Sequence, residues 1–97
     1  MPTYVSLLKF TDQARKNIKD VFNRRKEVLA ALERSGGRLI AFYLTQGAYD
    51  GVSILEFPDE DSAMAALLGA ATRGNVTTET MRAFSDADME RILKKLP

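Results

Sequence analysis

Apolar and polar positions change period several times along the chain, and each change marks an element. In TYVSLLKF, residues 3–10, Tyr4, Leu8 and Phe10 occupy one alternating set and Val5 and Leu7 the other. Apolar residues on both sets predict a strand covered on two faces. Thr11 then offers an N-cap, and Ile18, Val21, Phe22, Val28, Leu29 and Leu32 follow helical spacing, with a break expected near residues 19–23. Gly36 and Gly37 end that helical region. RLIAFYLTQ and GVSILEF read as two strands joined across Gly47–Asp50 as a hairpin, and Pro58 stops the second. DEDSAMAALLGAATRG opens with acids suited to a helix N-terminus and is expected to bury Met64, Leu67, Leu68 and Ala71, closing at Gly74 and Asn75. NVTTETMRAF is a fourth strand. SDADMERILKKLP places Ser85 and Asp88 at capping-box spacing, followed by a stripe of Met89, Ile92, Leu93 and Leu96.

The order β-α-β-β-α-β with an added C-terminal helix predicts an α+β, ferredoxin-like domain spanning residues 1–97. Its four-stranded antiparallel sheet, in strand order 4-1-3-2, carries the helices on one face. The other face would show Leu8, Phe10, Leu39 and Tyr43, or else the equally apolar alternate set, depending on register. An apolar field of that kind on so small a chain requires a cover. A second copy packed sheet to sheet, as a two-fold homodimer, is the expected one.

Composition narrows the chemistry. Ninety-seven residues at 45% hydrophobic content allow one core, burying roughly 60–65% of the unfolded-chain surface. The chain has no Cys and no His, which removes disulfides, thiolate nucleophiles, the commonest general base and the usual zinc or haem ligand. No metal or other cofactor is expected. A net charge of +1 gives no global attraction to nucleic acid or anionic lipid, and no window reaches the ~18 apolar residues of a membrane span. A cytoplasmic protein without nucleic-acid or membrane partners is the expectation.

Three stretches, MPTYVSLLKFTDQARKNIKD, FYLTQGAYD and GNVTTETMRAFSDADMERILKKLP, resemble the GYD domain family, small bacterial and archaeal proteins named for a Gly-x-Tyr-Asp turn. Gly47, Tyr49 and Asp50 match that motif. The resemblance implies a ferredoxin-like fold of the dimeric α+β-barrel type and carries over no reaction and no catalytic residue. Related barrels include cofactor-free monooxygenases and lactone isomerases, an analogy at the level of fold alone.

Candidate chemistry centres on the turn. Gly47 suits a positive φ, Asp50 is expected to hold backbone N–H groups of its own turn, and Tyr49 to fold over the hairpin with its hydroxyl satisfied. In the functional alternative, Tyr49 positions a substrate oxygen and Asp50 acts as a base at the mouth of a cavity. Regular alternation would also place Ser6, Glu56 and Arg82 on a sheet face with Tyr43, as a polar patch or as a plain cross-strand charge pair. An N-terminal proline amine can serve as a base once Met1 is lost; with Met1 in place Pro2 is blocked and reads as an ordinary residue at a strand start. The RNA recognition motif shares this element order, yet GVSILEF has Val52 and Ile54 where that motif requires stacking aromatics. Arg24–Lys26 reads as a solvated helix face, and Asp59–Ser62 as helix capping. These features predict a homo-oligomeric small-ligand-binding or assembly module. The alternative is a cofactor-independent enzyme, monooxygenase- or isomerase-like, acting on a small apolar substrate.

Overall fold

In the computed structural model, which describes residues 1–97, Thr3–Phe10 form β1, Asp12–Lys16 α1, Val21–Arg34 α2, Arg38–Leu44 β2 and Gly51–Glu56 β3. Glu60–Arg73 form α3, Val76–Ala83 β4 and Asp86–Leu93 α4. The sheet is antiparallel in the order β2-β3-β1-β4, the ferredoxin-like arrangement expected from the pattern.

Local chemistry explains the boundaries. The Thr11 hydroxyl accepts the Ala14 N–H at 3.2 Å and starts α1. The helical run breaks where expected, through a 3₁₀ turn at Ile18–Asp20 before α2. Gly37 follows α2 because its Cα faces the Phe57 ring so closely that a Cβ there would lie 2.8 Å from ring carbons. Asp59 Oδ1 accepts the Ser62 N–H at 2.7 Å to cap α3, and Gly74 ends that helix at φ 72°. Ser85 and Asp88 close a reciprocal capping box on α4.

Register decides which residues the helices cover. β1 pairs Tyr4 with Leu55 and Arg82, and Ser6 with Ser53 and Thr80, so Tyr4, Ser6, Leu8 and Phe10 share the face beneath the helices. Leu39 lies on that face too, packed against the buried cluster. Of the set first expected outside, Leu8, Phe10 and Leu39 are therefore inside. Tyr43 is not, because a register shift between Leu39 and Ala41 inserts one residue and reverses the phase of β2. The open face carries the alternate set: Val5, Leu7, Val52, Ile54 and Met81, with Tyr43 beside Val52.

The core is small. The Tyr4 and Phe57 rings meet edge to face with centroids 5.8 Å apart, and Leu32 from α2 and Ala63 from α3 pack around them. On α3 the buried stripe runs through Ala63 and Ala66, while Met64 and Leu68 are 54% and 62% exposed. Of the expected Met64, Leu67, Leu68 and Ala71 stripe, only Leu67 lies on the inward side, and Ala63 and Ala66 take the places beside it, since small side chains let the helix backbone approach the sheet. On α2, Leu32 is buried, whereas Phe22 and Val28 are exposed, as is Ile18 before them.

Much apolar surface stays in water. The chain exposes 6957 Å², against about 5,500 Å² for a globular monomer of 10.8 kDa. Its radius of gyration is 14.8 Å, where about 12.5 Å is typical for this length. No helix is long and apolar enough to cross a membrane.

This packing predicts an asymmetric response to truncation. Phe57→Ala, which empties a site that is 1% exposed, should cost about 3–5 kcal/mol in urea unfolding. Leu68→Ala should change stability by no more than about 0.5 kcal/mol. Equal effects would contradict the assigned inner face of α3.

Candidate functional site

The turn between β2 and β3 is held by its own backbone and by neighbouring elements. Thr45 N–H donates to the Asp50 carbonyl at 3.0 Å, the Thr45 hydroxyl donates to the Tyr49 carbonyl at 2.7 Å, and Gly47 takes φ 107°. Asp50 does not cap its own turn as expected. Its Oδ2 accepts the Phe10 N–H at 2.8 Å, its own N–H donates to the Leu8 carbonyl at 2.7 Å, and Arg15 of α1 lies 3.8 Å from the carboxylate. β3 stops pairing with β1 at Leu8–Gly51. The end of β1 therefore retains an unmatched donor, which the carboxylate satisfies.

Tyr49 folds over the open face at the same end. Its hydroxyl donates to Glu79 Oε2 at 2.6 Å, and Lys9 Nζ stands 5.3 Å from the ring centroid. The hydrogen bond to Glu79, with lesser contributions from desolvation and from the carboxylate charge, raises the phenol pKa above its ordinary value. Tyr49 is thus a stable neutral donor near neutral pH and a poor base.

The four residues expected on one face divide between two. Ser6 and Arg82 lie on the helix side; Glu56 and Tyr43 lie on the open side. Parity is the reason: Arg82 pairs with Tyr4, whereas Glu56 pairs with Thr3, the neighbouring residue on β1. Ser6 Oγ bonds Thr80 Oγ1 at 2.9 Å. Glu56 pairs with Arg38 at 2.7 Å. Arg82 stacks over Tyr4 and Phe84 and donates to the Thr3 carbonyl at 3.1 Å. Tyr43 remains 63% exposed. No acid–base constellation converges among them.

What the structure does assemble is an apolar face outside the core. Val5, Leu7, Val52, Ile54, Tyr43 and Met81 form a continuous apolar field on the open face. Lys9, Tyr49 and Glu79 border it at one end and Arg38 and Glu56 at the other. An apolar centre with a polar rim is the usual anatomy of a protein interface. α4 adds Met89, Ile92, Leu93 and, just beyond it, Leu96, all exposed. A helix of eight residues is marginal in water on its own, so its apolar stripe needs a surface to rest on.

On the opposite face, a cavity of about 490 Å³ opens between α2, α3 and the sheet. Arg24 and Arg25 line it, contrary to the expectation of a solvated face. Their spacing from Val21 and Val28, three and four residues apart, was the signal that could have placed them on the inner side. Of the anticipated site residues, only Ser6 reaches this cavity.

The sequence profile of the GYD domain family matches residues 4–93. A relative from Thermus thermophilus is 38% identical over 95 residues, covering 97% of this chain and 100% of the relative. That protein is called a glutamine synthetase and cystathionine beta-lyase binding protein.

Two outcomes follow from the turn and from α4. Asp50→Ala, which orphans the Phe10 N–H, should cost about 1–3 kcal/mol, while Tyr49→Phe should stay within about 0.5 kcal/mol, both read by urea unfolding. The Arg91 guanidinium, and secondarily the Ser85 N–H, pushes the Asp88 carboxyl down from 3.8 to about 2. Because the folded value is the lower one, the carboxylate's support of α4 is complete above about pH 4 and lost as pH falls through about 2. A carboxyl-carbon NMR titration should show that midpoint, and Arg91→Ala should move it back up.

Proposed function

The chain belongs to the GYD domain family, and on that premise we propose that it is a homo-oligomeric protein-binding module. Two copies pair through the open faces of their sheets, and the assembly presents its remaining exposed apolar residues to a folded enzyme subunit. The observation that carries this reading is the apolar field from Val5 to Met81, bordered by charge and left uncovered by the chain's own helices.

Area supports the pairing. The excess of 6957 Å² over the about 5,500 Å² expected for this mass is at least as large as the about 800 Å² that one partner contributes to a stable interface. Tyr43 and Met81 are large side chains of the kinds enriched at the centres of such interfaces. The Thermus relative's name supports a protein as the second partner and supplies its class, a glutamine synthetase or a cystathionine beta-lyase. A cofactor-independent enzyme is the other reading, and the cavity beneath the helices favours it. Tyr49, Asp50, Glu56 and Arg82 do not line that cavity, so binding is the function we adopt.

Light scattering of the native protein should give a dimer or larger. Ile54→Arg, a charge placed at the centre of the field, should weaken self-association by about a hundredfold or more while circular dichroism remains native. Surface plasmon resonance against purified glutamine synthetase and cystathionine beta-lyase from the same organism should show saturable binding to at least one. A native monomer would refute the sheet pairing; binding to neither enzyme would refute the partner class.

A further inference from the structure

The cavity beneath the helices has a chemical character that the interface reading does not use. Leu8, Phe10, Leu39 and Leu55 supply an apolar floor from the sheet, and α2 and α3 supply walls that include Leu29 and Ala70. Hydroxyls interrupt that floor at its centre, where Ser6 and Ser53 face each other across β1 and β3. A volume of about 490 Å³ falls within the roughly 300–1,000 Å³ of small-molecule sites.

Three of the four arginines on the wall gather at one end; the fourth, Arg34 in the last turn of α2, is exposed at the other. Thr11 N–H donates to the Asn75 carbonyl at 3.1 Å and the Thr11 hydroxyl to the Gly74 carbonyl at 2.8 Å. The chain leading into α2 is thereby pinned beside the C-terminus of α3. At the opposite end Gly36, just after α2, meets Pro58, just before α3. The two helices therefore run antiparallel, which brings Arg24 and Arg25 in the first turn of α2 to the same end as Arg73 in the last turn of α3. All three line the cavity.

None of these three arginines has a carboxylate partner, although Arg24 donates to the Asn17 carbonyl at 2.7 Å. The ion pairs of the chain use Arg15, Arg38 and Arg91. Glu27 is the one acid on the cavity wall and pairs with none of the three. Arg25 is also held in place, its guanidinium 4.5 Å from the Phe42 ring centroid and 5.4 Å from that of Phe22. Stacking occupies the flat faces of a guanidinium and leaves its N–H donors, which lie in the plane, directed outward. An apolar slot bordered at one end by guanidiniums without a carboxylate partner is complementary to a molecule with an oily body and an anionic head.

We propose that the space between α2, α3 and the sheet is a binding site for an amphipathic anion, an aliphatic or aromatic body bearing a carboxylate or phosphate, with Arg24, Arg25 and Arg73 receiving the head. The site lies on the face opposite the open sheet field, so it stands or falls independently of self-association and of the protein partner.

Isothermal titration of the full-length protein with dodecanoate, dodecyl phosphate, dodecanol and dodecyltrimethylammonium, each below its micellar concentration, tests the assignment. One saturable site per chain is expected for dodecanoate, dodecyl phosphate or both, and the stronger of the two identifies the natural head. The alcohol and the ammonium compound should bind at least about tenfold more weakly, and raised salt should weaken the anion alone. The double variant R25Q/R73Q should lose about tenfold or more in anion affinity with its circular dichroism unchanged. Ala70→Phe, which fills the slot, should abolish binding, whereas Ile54→Arg on the opposite face should leave it intact. Binding indifferent to head-group charge, or loss through Ile54→Arg with Ala70→Phe unaffected, would overturn the proposal. So would the absence of saturable binding by either anion.

Discussion

β1 is hydrogen-bonded along both edges, to β3 and to β4, so the direction of each of its side chains is fixed by two ladders at once. A slip of one residue would exchange Tyr4 and Ser6 for Val5 and Leu7 and pull the Tyr4 ring away from Phe57. Every other element takes its facing from this strand. The helices settle where Tyr4, Leu55 and Phe57 offer an apolar seat. The opposite row is then left to whatever lies outside the chain.

The two faces differ in kind. Beneath the helices the floor mixes apolar residues with Ser6, Ser53 and Thr80, and α3 turns Ala63 and Ala66 inward. Small residues let a helix come close near Phe57, and farther along a space stays open between α2, α3 and the sheet. Outward, by contrast, stand Met64, Leu68, Tyr43 and Met81. An isolated chain gains nothing by exposing these residues; an assembly of the kind proposed gives them something to touch.

Charges in this molecule mostly position backbone or stay in water. Asp50 joins the hairpin, the end of β1 and α1 through one carboxylate. The ion pairs of Arg15 with Asp12 and of Arg91 with Asp88 each span three residues on exposed helix surfaces and contribute little to stability beyond local order. Arg24, Arg25 and Arg73 are the exception, since they line a cavity and form no ion pair.

The sequence alone determined the element order, the helix caps at Thr11, Asp59 and Ser85, the left-handed stop at Gly74 and the hairpin around Gly47. These rest on contacts between residues three or four apart, or on the φ that a glycine permits, so a short window of sequence contains their whole cause. Tertiary structure decided which face each strand buries, because one inserted residue near Ile40 reversed β2 and parted Tyr43 from Leu39. It also gave Asp50 a partner 40 residues away and Tyr49 one 30 residues away. Likewise it drew Arg24 and Arg25 to the wall shared with Arg73. Long-range pairings of this kind depend on strand register and on helix–sheet spacing, which are properties of the folded whole and are written in no local stretch of the chain.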